Sequence, residues 1–234
     1  PAIDGLVAQG VALERFYAAP ICSPTRAGLL TARDPVRLGI AYDQIHPWYN
    51  AGLGKDEYLL SEVLQDAGYQ TGIIGKWHLG HSQQQQVPNS QGFDYFFGHL
   101  HTNTDFYNHR RENGHDLQRN GVSVSRDGEY LTHIEASQAT AVIEARDKGK
   151  PFFLYVPFTA PHSPMQAPAK TIEKYKHLSR QGYQRVYAAM VDEMDRAIGS
   201  ILGTIESEGL ADNTIVVFMS DNGGSNYFGG NNKP

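Results

Sequence analysis

The chain has 234 residues, of which 40% are hydrophobic, so it is long enough to bury the core of one domain or most of one. Its net charge of −5 argues against a nucleic-acid-binding surface, and no apolar run reaches the length of a membrane span. We therefore expect neither nucleic acid nor a membrane as a partner. The chain begins at Pro1 without a Met and shows no signal peptide, and we interpret it as an internal fragment.

The first predicted element is a short helix. Ile3, Leu6 and Val7 recur at helical spacing and are followed by Gly10, a residue typical of helix ends. Residues 11–17 are then predicted to be a short strand or an extended segment.

The second predicted helix begins at or just after Cys22, the only cysteine in the chain. Ser23 is a plausible cap, and Pro24 suits the first turn because its missing N–H would be unpaired there. A lone cysteine cannot form an internal disulfide, so it is a buried structural thiol, a metal ligand or a reactive group. The helix N-terminus and Arg26, about one turn in, favour negative charge. This pattern favours an anion site that contains a reactive atom.

The middle of the chain predicts a loop, a helix and a strand. Residues 34–57 carry several Pro and Gly residues and are predicted to be loop. Residues 58–68 have the pattern of an amphipathic helix, and an apolar strand follows at 70–74. Lys76 and His78 come just past that strand, where residues two apart point to the same side. We predict that both face one site, the alternative being a surface lysine and a structural histidine.

Residues 91–130 are predicted to be irregular, with many aromatic, His, Asn and Arg side chains. Five residues either line an entrance for a polar, anionic substrate or belong to a solvated loop: Asp105, Tyr107, His109, Arg110 and Arg111. The histidines of this region do not have the spacing of zinc ligands.

The last third of the chain predicts two helices and two strands. Helices are expected at 134–146 and 187–205, and the second is the longest in the chain. The continuous apolar run at 151–157 indicates a strand buried on both faces, and residues 214–219 indicate another buried strand.

Polar residues follow both of these strands. His162, in a turn bounded by prolines, is either functional or a structural imidazole. Asp221 and Asn222 are either a turn with Asx capping or two hard oxygen ligands, which suit Ca²⁺ or Mg²⁺. Two oxygens are too few for such an ion, so further ligands are expected from elsewhere.

Strands that alternate with helices predict an α/β fold, a mostly parallel mixed sheet sandwiched by helices. Ligands in such sheets bind beyond the carboxyl ends of the strands. The polar residues that follow three of the strands therefore predict one site at one edge of the sheet, facing the helix that carries Cys22.

Four motifs in this order resemble those of the type I, formylglycine-dependent sulfatase family. They are Cys22-Ser23-Pro24-Thr25-Arg26, Gly75-Lys76-Trp77-His78-Leu79-Gly80, His162-Ser163-Pro164 and Asp221-Asn222-Gly223-Gly224. Residues 92–98, 105–109 and 187–195 further resemble the arylsulfatase B, or N-acetylgalactosamine-4-sulfatase, branch. The resemblance covers the chain from end to end and implies an alkaline phosphatase-like fold.

The resemblance implies catalytic roles for five residues. A maturation enzyme would oxidise Cys22 to formylglycine, whose hydrate attacks sulfur and later expels sulfate. Arg26 would hold and polarise the formylglycine, and Lys76 would bind its hydrate and the sulfate. His78 would be the base for the elimination step, and His162 would assist the leaving alcohol oxygen.

The resemblance also implies binding roles. Asp221, Asn222 and Cys22 would ligate a divalent cation, Ca²⁺ or alternatively Mg²⁺. The substrate-binding candidates are Lys76, His162, Asp105, His109 and Arg110.

The implied activity is hydrolysis of sulfate esters of a sulfated carbohydrate or an aryl sulfate, by a secreted, periplasmic or lysosomal protein. Two alternatives stay open. One is a phosphonate or phosphate ester hydrolase of the alkaline phosphatase superfamily, and the other is an inactive sulfatase-like binding remnant. The family's first metal-binding strand, a downstream lysine and the C-terminal subdomain do not lie in residues 1–234, so we expect a partial sulfatase catalytic domain.

Overall fold

The computed structural model describes residues 1–112, 114–179 and 183–224 of the chain. This part contains six α-helices and seven β-strands. The helices are α1 (Ala2–Gln9), α2 (Cys22–Thr31), α3 (Leu60–Asp66), α4 (Leu131–Ala145), α5 (Ala169–Lys174) and α6 (Gln184–Ser207). The strands are β1 (Gln70–Lys76), β2 (Tyr95–His99), β3 (Arg110–Arg111), β4 (Gly114–His115), β5 (Gln118–Arg119), β6 (Val122–Ser123) and β7 (Phe152–Tyr155). Within the described ranges, no helix is both long and apolar enough to cross a membrane.

Five of the strands form one sheet in the order β6-β5-β2-β1-β7. β1 runs parallel to both β2 and β7, whereas β5 pairs antiparallel with β2 and with β6. β3 and β4 form a separate antiparallel pair. The register places Lys76 opposite His99 at the carboxyl ends of β1 and β2. The predicted α/β architecture with a mostly parallel mixed sheet is confirmed.

Helices cover both faces of β1, because consecutive residues of a strand point to opposite faces. Ile73 packs in a cluster that includes Leu30 of α2, and Ile74 packs in a second cluster with Ile134 of α4 and Met190 of α6. Burying a side chain of this size contributes about 1.5–3 kcal/mol. Two apolar layers therefore hold the strand that leads into the site.

Most of the predicted elements are confirmed: α1, α3, α4 and α6 overlap predicted helices, and β1 and β7 overlap predicted strands. The helix predicted near Cys22 is also present, but its N-cap is Ile21, so the prediction that Ser23 caps it is wrong. The Ser23 hydroxyl instead donates to the His78 carbonyl (2.9 Å) and accepts from the Ile45 N–H (3.1 Å). These bonds join the start of α2 to the segment that follows β1.

Three segments differ in part from their prediction. Residues 91–130 contain β2 to β6, and four of these strands have only two residues, too few to show an alternating pattern. Residues 11–17 form no strand, and Val11 and Tyr17 are exposed. β7 is half-buried rather than fully buried, because it is the last strand on its side of the described sheet.

The buried strand predicted at 214–219 is wrong. The segment has no regular secondary structure, and no described strand pairs with it. Ile215 and Val217 are 92% and 77% exposed. A strand depends on hydrogen-bonded neighbours and a face to pack against, so an apolar run is not sufficient to form one.

Candidate active site

The structure gathers most of the predicted site residues around one cavity of about 220 Å³ at the carboxyl end of β1. Its lining includes Arg26, Lys76, His162, Asp221 and Asn222. These residues come from α2, β1, the segment after β7 and the segment after α6. The chain therefore brings together side chains that lie up to 196 positions apart in sequence (222 − 26).

Cys22 lies beside this cavity as the first residue of α2, and it is 4% exposed. Its Sγ donates to Asn222 Oδ1 at 3.2 Å. The first N–H groups of a helix have no partner within the helix, and the helix dipole adds partial positive charge there. The sulfur is therefore next to an amide oxygen and at a position that favours an anion.

Arg26 and Asp221 form a partly buried ion pair one turn further along α2. Arg26 Nε and Nη2 donate to Asp221 Oδ2 at 3.0 and 2.8 Å, and Nη1 donates to the Lys76 carbonyl at 2.6 Å. Burial acts to raise the pKa of Asp221, but the charges of Arg26 and Lys76 outweigh it and hold that pKa below its usual value. The carboxylate is thus ionised, and the guanidinium engages only its Oδ2.

Lys76, the last residue of β1, is 2% exposed. Burial lowers its pKa to about 8, and the charge of Arg26 acts in the same direction. Gly75 allows this placement, since its φ is +123° and a Cβ there would lie 2.3 Å from the Pro157 carbonyl oxygen. Lys76 therefore carries a proton at neutral pH and can lose it under mildly alkaline conditions.

His78 is buried just beyond Lys76 and has a left-handed backbone, with φ of 63°. Its Nε2 lies 3.0 Å from the Ile45 carbonyl oxygen, so this nitrogen carries the hydrogen. Its buried Nδ1 has no hydrogen-bond partner among the described residues. Burial, Lys76 and Arg26 lower the pKa of His78 well below the usual value. The ring is neutral and its Nδ1 is free to accept a hydrogen bond, although His78 is not among the residues that line the cavity.

His162 lines the cavity from the segment that follows β7. Its Nδ1 lies 2.8 Å from the Ser163 carbonyl oxygen and therefore carries the hydrogen of the neutral ring. Burial lowers the pKa of His162, and the charge of Lys76 adds to this effect.

A buried chain of polar groups behind Lys76 was not predicted from the sequence. His99 Nε2 lies 2.7 Å from Thr159 Oγ1, which lies 3.1 Å from Glu135 Oε1. Burial raises the pKa of Glu135 to about 8, so its carboxyl is protonated at neutral pH. One signal was present in the sequence, since His99 ends an apolar run as Lys76 does.

Asp105 and Arg110 line a second cavity of about 390 Å³, together with Arg111. Ser163 belongs to the lining of both cavities, which places the second beside the first. Asp105 is already engaged, because its Oδ2 accepts from Gln166 Nε2 at 2.6 Å. His109 lines neither cavity: it is fully buried, with Nε2 3.2 Å from the Glu129 carbonyl oxygen.

The donor set at the first cavity fits part of the coordination shell of a hard cation. Asp221 and Asn222 supply a carboxylate and an amide oxygen, the ligand types that Ca²⁺ and Mg²⁺ prefer. The Asn222 oxygen lies 3.2 Å from the sulfur of Cys22, so an oxygen substituted for that sulfur would add a third hard donor. Ca²⁺ takes six to eight oxygen ligands, so these residues provide about half a shell.

The chain was compared with known protein families and proteins. A family model described as Sulfatase matches residues 1–233. Arylsulfatase J of Mus musculus is 35% identical over 241 residues, and N-acetylgalactosamine-6-sulfatase of Homo sapiens is 36% identical over 243 residues. These alignments cover 100% and 95% of this chain but 40% and 45% of the two relatives. The chain therefore spans less than half of their length.

Solved structures also resemble the chain. The crystal structure of Ps i-CgsB in complex with k-i-k-neocarrahexaose has a TM-score of 0.86 and 32% identity, and the match covers 93% of this chain and 52% of that one. The phosphonate monoester hydrolase of Agrobacterium radiobacter has a TM-score of 0.61 at 15% identity, over 91% of this chain and 55% of that one. At that identity the second likeness shows a shared fold alone.

Proposed function

Because the chain belongs to the sulfatase family, as its motifs predicted, we propose that the whole protein hydrolyses sulfate esters of a sulfated carbohydrate or an aryl sulfate. One observation carries the proposal. Cys22 begins a helix, its sulfur is 3.2 Å from Asn222 Oδ1, and Arg26 and Lys76 lie at the same cavity. The arylsulfatase B branch within the family stays a prediction.

The charges at the cavity support an anionic substrate. The guanidinium of Arg26 and the ammonium of Lys76 are both almost fully buried. Among the described residues, Asp221 pairs with Arg26, and no carboxylate forms an ion pair with Lys76. Preplaced charge in a site of low dielectric stabilises a developing oxyanion strongly. A sulfate ester bound here would meet the positive end of α2 and the Lys76 ammonium.

We infer that Cys22 is oxidised to formylglycine by a maturation enzyme. Once formed, the hydrate of formylglycine would supply two hydroxyls, one as the nucleophile toward sulfur and a second whose deprotonation would let sulfate be expelled. A serine at this position could attack but could not release sulfate in this way. The ion pair with Asp221 holds Arg26 in place, so its charge can polarise the group at position 22.

The two histidines would move protons at opposite ends of the reaction. His78 is neutral with an unpartnered Nδ1, which suits a base for the second hydroxyl of the hydrate. His162 carries its hydrogen on Nδ1, so its Nε2 would first have to bind a proton, which it would then donate to the leaving alcohol oxygen. Lys76 would bind the hydrate and the sulfate.

A divalent cation would be held by Asp221, Asn222 and the oxygen of formylglycine 22. Ca²⁺ is the first choice and Mg²⁺ the alternative. Such an ion would neutralise the sulfate charge and lower the pKa of the attacking hydroxyl.

The substrate class is proposed from the relatives and from the second cavity. One relative is named an N-acetylgalactosamine-6-sulfatase, and Ps i-CgsB was crystallised with a neocarrahexaose. Arg110 and Arg111 line the adjacent cavity, where they could contact further anionic groups of a sulfated glycan. Secretion, or a periplasmic or lysosomal location, is proposed from the family resemblance.

Mass spectrometry of the peptide that contains Cys22 tests the proposal directly. Formation of formylglycine removes H₂S and adds one oxygen. The full-length protein carrying this change should hydrolyse an aryl sulfate faster than an aryl phosphate, and Cys22→Ala should abolish both activities while the far-UV circular dichroism is unchanged. Faster phosphate hydrolysis would favour the phosphoesterase alternative. An unmodified thiol after co-expression with the maturation enzyme, with no turnover, would favour a binding remnant.

A further inference from the structure

A second group of metal-ligand residues lies outside the cavity described above. One ligand atom each from His109, His115 and Asp127 lies within 4.8 Å of the other two. His109 precedes β3, His115 belongs to β4, and Asp127 follows β6. The chain thus brings the three residues together from the β3–β4 pair and a turn that packs beside it.

The hydrogen bonds of the two histidines leave one nitrogen of each ring available. His109 Nε2 lies 3.2 Å from the Glu129 carbonyl oxygen, and His115 Nδ1 lies 3.1 Å from Ser123 Oγ. The other nitrogens, His109 Nδ1 and His115 Nε2, are buried and have no hydrogen-bond partner among the described residues. A metal-bound histidine commonly donates its outer N–H to a carbonyl or another oxygen, which fixes the ring and leaves the inner nitrogen for the ion.

Burial makes these unpartnered nitrogens informative. His109 is 0% exposed. A buried polar atom without a hydrogen bond costs about 1–3 kcal/mol, so one that recurs in two neighbouring, nearly perpendicular rings calls for a partner. Asp127 is exposed and supplies a negative charge on the solvent side of the rings.

We propose that His109, His115 and Asp127 bind one Zn²⁺ ion, with a water molecule as the fourth ligand. Two imidazole nitrogens and a carboxylate suit zinc, whereas Ca²⁺ and Mg²⁺ prefer oxygen ligands throughout. Zinc bonds of about 2.1 Å in a tetrahedron place ligand atoms about 3.4 Å apart. The exposed Asp127 side chain can close the remaining distance by a change of rotamer.

The backbone around the three residues is already held in place. The Asp116 N–H donates to the His109 carbonyl (3.1 Å), and the Gly128 N–H donates to the Tyr107 carbonyl (2.7 Å). The ion would add a cross-link between the β3–β4 pair and the turn at Asp127. Its role would be structural, because none of the three ligands lines the first cavity.

Zinc binding can be measured in full-length protein that carries Cys22→Ser, so that no thiolate competes, with Ca²⁺ in excess. Isothermal titration calorimetry should then show one Zn²⁺ bound per chain, and Co²⁺ should give the visible absorption bands of a tetrahedral complex. His115→Ala and Asp127→Asn should each weaken zinc binding at least about tenfold, the lower end of what loss of even an outer-shell partner gives. His177→Ala removes an exposed histidine elsewhere and is the matched control, with unchanged affinity expected.

The variants avoid the fully buried His109, whose replacement could unfold the chain. Loss of affinity in both site variants, but not in the control, supports the site. Zinc affinity that is the same in His115→Ala as in the control, or no measurable zinc binding, would overturn the proposal. Binding that survives Asp127→Asn would overturn the three-ligand assignment. Both readouts, calorimetry with Zn²⁺ and the absorption of Co²⁺, are independent of catalytic activity.

Discussion

Glu135 allows a direct test of how burial controls the protonation of side chains near the site. The side chain is fully buried on α4, and its Oε1 lies 3.1 Å from Thr159 Oγ1. Burial raises its pKa from 4.5 to about 8. At about 1.36 kcal/mol per pH unit, this difference corresponds to about 5 kcal/mol. Domains are typically stable by about 5–15 kcal/mol, so this one carboxyl should make a large contribution to the pH dependence of stability.

The direction in which stability changes with pH follows from the number of protons bound by the folded and unfolded states. In the unfolded chain the carboxyl loses its proton above its ordinary pKa of 4.5, whereas in the folded chain it does so only above about 8. Between these values the folded state binds more protons, so the free energy of unfolding falls as the pH rises. Glu135→Gln removes this dependence, because the amide is neutral in both states and can bond to Thr159 as the protonated acid does.

Urea unfolding of wild type and Glu135→Gln between about pH 5 and pH 7 measures the effect. The stability of the variant relative to wild type should increase by about 3 kcal/mol over this range. Glu144→Gln, an exposed change on the same helix, is the matched control. Its free energy of unfolding should change with pH as that of wild type does. If the free energy of unfolding of Glu135→Gln also changes with pH as that of wild type does, Glu135 is not protonated in the folded state and the reasoning fails.

Two further predictions concern the cations of the proposed active site. The kcat/KM of the full-length protein for an aryl sulfate should fall as the pH rises through about 8, because Lys76 then loses the proton that binds sulfate. Any activity left in Lys76→Arg should lack this fall, since arginine stays charged. The same pH profile in wild type and Lys76→Arg would contradict the assignment. Arg26→Lys should lower the free energy of unfolding by about 3 kcal/mol in urea titrations, because the lysine cannot reproduce both bonds to Asp221. A loss under about 0.5 kcal/mol would show that the ion pair does not stabilise the fold.

The parallel centre of the fold could be predicted because its signals are local. β1 contains an apolar segment and ends with a glycine and a lysine, and the helices on either side have strong apolar periodicity. β3 to β6 could not be predicted in the same way. Each has only two residues, and their pairing depends on contacts with β2 rather than on their own sequence.

The site was predictable from two local patterns, the start of a helix at Cys22 and the position of a polar residue after a predicted strand. Lys76, His162 and Asp221 could be grouped by the second pattern, and the structure places all three at one cavity. His99 was missed because its strand was not predicted, and Glu135 because a charged residue in a helix is normally solvent-exposed. Burial, which decides the protonation of Glu135, depends on the whole fold and cannot be found in the local sequence.

Asp221 and Asn222 were predicted to lie at the site correctly, although the strand on which that prediction depended is absent from the described part of the chain. They were placed at the site because a strand at 214–219 was expected to end there, and that strand is not formed. Their position is instead held by side chains of α2: two charge-assisted bonds join Arg26 to Asp221, and Cys22 donates to Asn222. Hydrogen bonds to charged groups contribute about 1.5–3 kcal/mol each, enough to hold a segment that has no strand pairing. The electrostatic complementarity of the site therefore helps to fold the chain around it.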